Sequence, residues 1–97
     1  MDMKISNVLS EPTMLEQLAE EAAELAKAAL KLSRILRNEN PTPVTEDEAR
    51  DNLKEEYTDV LLCAKELGIS VDYAVMCKKI ERWKSRLSEF NKSTDNS

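Results

Sequence analysis

The feature that most constrains this chain is the spacing of its apolar residues, which return every three or four positions through three separate stretches. Leu18, Ala22, Leu25, Ala29, Leu32 and Leu36 form the first stripe, and Leu53, Tyr57, Val60, Ala64 and Leu67 the second. Tyr73, Met76, Ile80, Trp83, Leu87 and Phe90 form the third. A half-buried strand needs a period of two, so stripes of this kind describe faces of helices. Composition agrees where it matters: one glycine and three prolines in 97 residues leave few places to break a helix, and much of the rest is Ala, Leu, Glu and Lys. The expected fold is all-α.

Capping signals set the limits of each helix. Thr13 and Glu16 have the spacing of a capping box just after Pro12, which predicts a first helix from Thr13 to about Arg37. Asn38-Glu39-Asn40-Pro41-Thr42-Pro43 then ends it. A second box, Thr45 with Glu48, opens a helix that runs to about Leu67 before Gly68 stops it. Ser70 is the expected N-cap of a third helix, ending near Phe90. The organisation is therefore a flexible segment over 1–12, a single helical domain over 13–90 and a disordered tail over 91–97.

At about 1.5 Å per residue the three helices match at roughly 30–37 Å, and short connections make them antiparallel neighbours. Helix 1 carries a second apolar face, Ala19, Ala23, Ala26 and Leu30, about 110° around from its stripe. Three helices do not easily cover both faces. The alanine-rich one is read as a helix-to-helix contact in a dimer, with packing inside the monomer as the alternative. A chain this short buries only about 60–65% of its unfolded surface, which also favours assembly into a bundle of several chains, a homodimer or homotetramer.

A net charge of −5 with no histidine leaves no basic surface to track phosphates, so a nucleic acid polymer is not an expected partner. No run of about 18 apolar residues occurs, and Met1 to Ser10 lacks the apolar core of a leader, so a cytoplasmic chain without a membrane partner is expected. Cys63 and Cys77 stand far from any C-x-x-C spacing and are expected to be small core residues.

One polar pattern appears twice. Leu18-Ala19-Glu20-Glu21-Ala22-Ala23-Glu24-Leu25 aligns with Leu53-Lys54-Glu55-Glu56-Tyr57-Thr58-Asp59-Val60, so that Glu21 and Glu24 match Glu56 and Asp59. On a helical wheel the first member of each pair lies about 60°, and the second about 120°, to one side of its stripe, on the shoulder of the core face. Counting outward from the connection places all four at the same depth in an antiparallel pair, to within roughly one turn. Two like charges about 6 Å apart repel by roughly 3 kcal/mol at an effective dielectric of 20, so an empty cluster opposes folding. Divalent cations remove that opposition. The all-oxygen ligand set favours Mg²⁺, with Mn²⁺ as the alternative, over zinc or a di-iron centre. A solvated acidic face is the reading that a single E-x-x-E would receive; duplication in one register and at one depth argues against it.

With these residues in place the chain resembles the MazG-like, all-alpha nucleoside triphosphate pyrophosphohydrolases, whose mark is E-x-x-E on one helix and E-x-x-D on the next. Glu21-Ala22-Ala23-Glu24 and Glu56-Tyr57-Thr58-Asp59 fit that mark, and the flanking Gln17-Leu18-Ala19-Glu20 and Val60-Leu61-Leu62 look like its surroundings. The likeness spans about Leu15 to Leu87. The spacer between the motifs is longer than the family pattern, which leaves the nucleotide open. The resemblance implies hydrolysis of a (deoxy)nucleoside triphosphate between the α- and β-phosphates, with Glu21, Glu24, Glu56 and Asp59 as metal ligands and catalytic groups. Which carboxylate acts as base stays open, with Glu20 and Glu55 as outside candidates.

A polyphosphate also needs cations. Lys79, Arg82 and Arg86 share one face of helix 3 and are the candidate phosphate contacts, with solvated or surface-paired cations as the alternative; Trp83 beside them is a candidate surface for the base, with the core of its own stripe as the alternative. Lys27, Lys31 and Arg34 are weaker candidates. Two other functions remain: phosphoribosyl-ATP pyrophosphohydrolysis within the same superfamily, and a non-catalytic acidic helical module that dimerises.

Overall fold

The computed structural model describes residues 5, 8–39 and 43–95, the side chains of 93–95 excepted. It consists of three helices, α1 (Glu11–Arg37), α2 (Glu46–Glu66) and α3 (Tyr73–Asp95), with no strand among the described residues. Each start follows from a short polar side chain in front of the first turn. Thr45 Oγ1 accepts from the Glu48 N–H at 3.1 Å, as the sequence predicts. For α1 the cap is Ser10 rather than Thr13: Ser10 Oγ accepts from the Thr13 N–H at 3.3 Å. Pro12 explains the earlier start, because a proline in the first turn lacks only an N–H that would go unused and its φ already suits a helix. For α3 the capping side chain is Asp72 rather than Ser70, with Asp72 Oδ1 accepting from the Val75 N–H at 3.0 Å. Glu11 and Pro12 thus belong to α1, and α3 extends past Phe90 to Asp95. Residues 1–4, 6–7 and 96–97 of the expected flexible ends, and 40–42 of the first connection, lie outside the described residues.

Both α1 and α2 end in the same way. Asn38 (φ 56°) and Gly68 (φ +73°) take the left-handed conformation that closes a helix. Two hydrogen bonds follow at each end: Asn38 N–H to Ile35 O and Glu39 N–H to Arg34 O, then Gly68 N–H to Lys65 O and Ile69 N–H to Ala64 O. The carbonyls of the last turn are satisfied and the chain turns away.

α1 and α2 form an antiparallel hairpin whose seam follows a strict alternation of three and four residues. Met14, Leu18, Glu21, Leu25, Ala28, Leu32 and Ile35 line it from α1, and Ala49, Leu53, Glu56, Val60 and Cys63 from α2, with Leu67 at the C-cap of α2. Met14, Ala28, Leu32, Ala49 and Cys63 are buried there. The seam shares Leu18, Leu25, Leu32, Leu53, Val60 and Leu67 with the sequence stripes but is rotated off them. Ala22, Ala29, Leu36 and Tyr57, expected on the core face, are exposed, and Ala64 is half-buried. Their places are taken by Glu21, Ala28, Ile35, Glu56 and Cys63. In the rotated seam the small side chains Ala28, Ala49 and Cys63 are buried, where the expected stripes would have placed Ala29 and Ala64.

The alanine face of α1, Ala19, Ala23, Ala26 and Leu30, is exposed, so packing within the chain does not cover it. α3 is not the third packed neighbour that matched lengths predict. It leaves the hairpin with only marginal contact, and every residue from Tyr73 to Lys92 is exposed, Cys77 among them. The radius of gyration is 18.3 Å, against about 12.5 Å for a compact chain of this length.

Candidate metal centre

The hairpin seam contains two carboxylates where a coiled coil would carry leucine. Glu21 and Glu56 occupy core positions and are half-buried. Their partners one turn on, Glu24 and Asp59, sit on the shoulder and are exposed. The sequence wheel places all four on the shoulder; the rotation of the seam turns the first member of each pair inward.

Glu21, Glu56 and Asp59 each offer an oxygen within 4.8 Å of the others. Such a spacing suits one hard cation bound by oxygens from both helices. Gln17 orients one member of the trio, donating from Nε2 to Glu21 Oε1 at 2.8 Å, one turn away on the same helix. Glu24 is outside the trio and pairs with Lys27, whose Nζ lies 3.3 Å from Glu24 Oε1. Glu20 and Glu55, the outside candidates, are exposed.

The electrostatics carry the mark of an uncompensated cluster. Burial in the seam raises the Glu56 carboxyl above its ordinary value, and the charges of Asp59, Glu21, Glu24 and Glu55 raise it further. The Cys63 thiol is likewise pushed up, by burial first and then by Glu21 and Asp59. It stays a neutral thiol at neutral pH, a poor ligand for a hard cation and a weak nucleophile. Cys63 is the small core residue that the sequence predicts; Cys77 is not.

Glu21 and Asp59, though not Glu56, line a groove of 250 Å³ at the end of the hairpin near the N-terminus of α1, together with Ile5, Leu9, Met14, Gln17, Cys63 and Glu66. Sequence reasoning passes over Gln17 as a positioning side chain, although its place four residues before Glu21 is the spacing for such a bond. The structure does not bring Lys79, Arg82, Arg86 or Trp83 to the carboxylates within one chain, since all four lie on the outstanding α3. No family model matches the chain, and no curated protein or solved structure is significantly similar to it. No helix among the described residues is long and apolar enough to cross a membrane.

Proposed function

We propose that this protein is a Mg²⁺-dependent pyrophosphohydrolase of (deoxy)nucleoside triphosphates, cytoplasmic and homo-oligomeric. The observation that carries the reading is the convergence of Glu21, Glu56 and Asp59 across the hairpin, with one oxygen from each within 4.8 Å. The motif resemblance supports it, and so does the chemistry of the donors. Carboxylate oxygens without histidine suit Mg²⁺ or Mn²⁺. When bound, the metal neutralises phosphate charge and lowers the pKa of a coordinated water.

The positions of the chain's own groups support the following roles. Glu21, Glu56 and Asp59 would hold the cation, and Gln17 fixes the orientation of Glu21. Glu24, one turn from Glu21 and bound only at an exposed ion pair, is the carboxylate left to accept a proton. A water oxygen bonds to the α-phosphorus, the bond from that phosphorus to the α–β bridging oxygen breaks, and pyrophosphate leaves. Its monophosphate partner remains, and the water proton passes to the carboxylate and then to solvent.

The test is pyrophosphate release from a panel of canonical and modified nucleoside triphosphates, and from phosphoribosyl-ATP, in Mg²⁺ and then in EDTA. Turnover that requires the metal is expected with at least one triphosphate. Turnover of phosphoribosyl-ATP alone moves the substrate within the superfamily. No turnover, together with no stabilisation by Mg²⁺, leaves the non-catalytic acidic module, a reading that the exposed apolar faces of the hairpin and of α3 favour.

A further inference from the structure

α3 stands clear of the hairpin, and its apolar side chains share one face. Tyr73, Met76, Ile80, Trp83 and Leu87 are 40–72% exposed there. At 100° per residue they fall within an arc of about 80° centred on Leu87. A contiguous apolar face of this kind marks a site of interaction with a protein or a membrane.

The charges around the face say which. Between Tyr73 and Phe90 stand five cations, Lys78, Lys79, Arg82, Lys84 and Arg86, against two acids, Glu81 and Glu89, and all seven are exposed. Measured from the centre of the arc, Lys84 lies at about 60° on one side, and Lys79 and Arg86 at about 80° and 100° on the other. Glu81 and Glu89 lie at about 120° and 160°, toward the far face. Cations therefore border the apolar arc on both sides, where their long stems can lie along it while the charged heads reach anionic groups. Tyr73 and Trp83 are residues of the type that sits at the level of lipid headgroups. The hairpin groove offers α3 no such complement, since its lining is mixed in sign, with Asp47 and Asp51 beside Arg50 and Lys54.

We propose that α3 lies in the plane of an anionic membrane surface, its apolar arc among the headgroups and the bordering cations on lipid phosphates. An interfacial helix has this pattern: Trp and Leu on one face, Lys and Arg around the other, and low overall hydrophobicity. The expectation of a chain without a membrane partner rests on the missing apolar run, which bears on crossing a bilayer and not on lying upon one. α2, with eight acids against Arg50, Lys54 and Lys65, is repelled by the same surface, so the hairpin and its carboxylates face the solvent. The proposal requires neither a nucleotide nor a metal, so it stands or falls apart from the hydrolase reading.

The test is flotation of the full chain with vesicles of phosphatidylcholine alone, or of phosphatidylcholine and phosphatidylglycerol in equal parts. EDTA is present throughout, so that no divalent cation bridges the acidic hairpin to lipid. Trp83, the single tryptophan, reports insertion by its emission. Binding to the anionic vesicles with a blue shift is expected, with little on phosphatidylcholine alone. A rise of about tenfold in ionic strength should weaken it, since the Debye length shortens about threefold. Lys79→Glu with Lys84→Glu, one on each border of the arc, should weaken binding on the order of 30-fold or more. Ile80→Glu should weaken it on the order of 10-fold or more, with helicity by circular dichroism retained in both variants. Lys54→Glu with Lys65→Glu on α2 changes the net charge equally and should leave binding as in the parent; an equal loss there would show net charge alone at work and overturn the proposal. No binding to anionic vesicles overturns it, as does binding indifferent to the α3 substitutions. Trp83 emission that is blue-shifted without vesicles and unmoved by them would show a protein surface covering α3, and overturns it too.

Discussion

At the scale of single residues, Glu56 is the most informative group. Its carboxyl is held above the ordinary value in the folded chain, by burial and by four neighbouring acids. Folding therefore favours its protonated form. That contribution is fully present below the unfolded value, near 4.5, and is lost as pH rises through the raised folded value. Without divalent metal, Glu56→Gln should raise the melting temperature at neutral pH and flatten its fall between weakly acidic and neutral pH. Thermal melts followed by circular dichroism in EDTA check this; a lower melting temperature in the variant would mean that Glu56 anchors a structural network. On the proposed hydrolase reading, replacing Glu21, Glu56 or Asp59 by alanine would remove a metal ligand worth several kcal/mol of charge stabilisation, so turnover should fall on the order of 10³-fold. Gln17→Leu should act through metal affinity instead, weakening it by roughly 10–100-fold with helicity retained.

At the scale of elements, the helix ends are set by local chemistry and can be tested one at a time. Asp72 caps α3 and Ser10 caps α1. Alanine at either position should cost about 1 kcal/mol, whereas Ser70→Ala should cost far less. Urea titrations of the three variants separate these outcomes. Gly68 is the one glycine, and a Cβ placed there would meet nothing within 4 Å. The cost of Gly68→Ala is then purely that of holding alanine at φ +73°, about 1 kcal/mol, with no packing penalty to add. The seam between α1 and α2 is thin, with only Met14, Ala28, Leu32, Ala49 and Cys63 buried. Leu32→Ala, which removes the largest branched side chain of that set, should destabilise by about 2–5 kcal/mol.

At the scale of the whole molecule, the hairpin presents the carboxylate trio on one side and exposed apolar residues on the other, and the proposed cation is tested by its effect on stability. A ligand that binds only the folded state stabilises it by about 2.7 kcal/mol at a hundred times its dissociation constant. Millimolar Mg²⁺ should therefore raise the melting temperature of the parent and leave the Asp59→Ala variant nearly unmoved. Melting temperatures that are equal with Mg²⁺ and with EDTA would remove the metal from the reading. An assembling chain should also melt at a temperature that rises with protein concentration, independently of metal.

The sequence by itself determined what depends on neighbours along the chain. Three helices, the Thr45 cap, the stop at Gly68, and the shared depth of Glu21 and Glu24 with Glu56 and Asp59 all follow from spacing and from the fixed rise of a helix. A wheel also gives the angle of every side chain about its own axis. It does not give the direction in which the neighbouring helix lies, because that is fixed by how closely two surfaces can pack. The packed hairpin buries Ala28, Ala49 and Cys63 in a seam turned away from Ala22, Ala29 and Tyr57, carries Glu21 and Glu56 into it, and leaves Glu24 paired with Lys27 outside the trio. The place of α3 was beyond reach for the same reason. Its apolar stripe is as regular as the others, and only the tertiary structure showed that no surface of its own chain receives it.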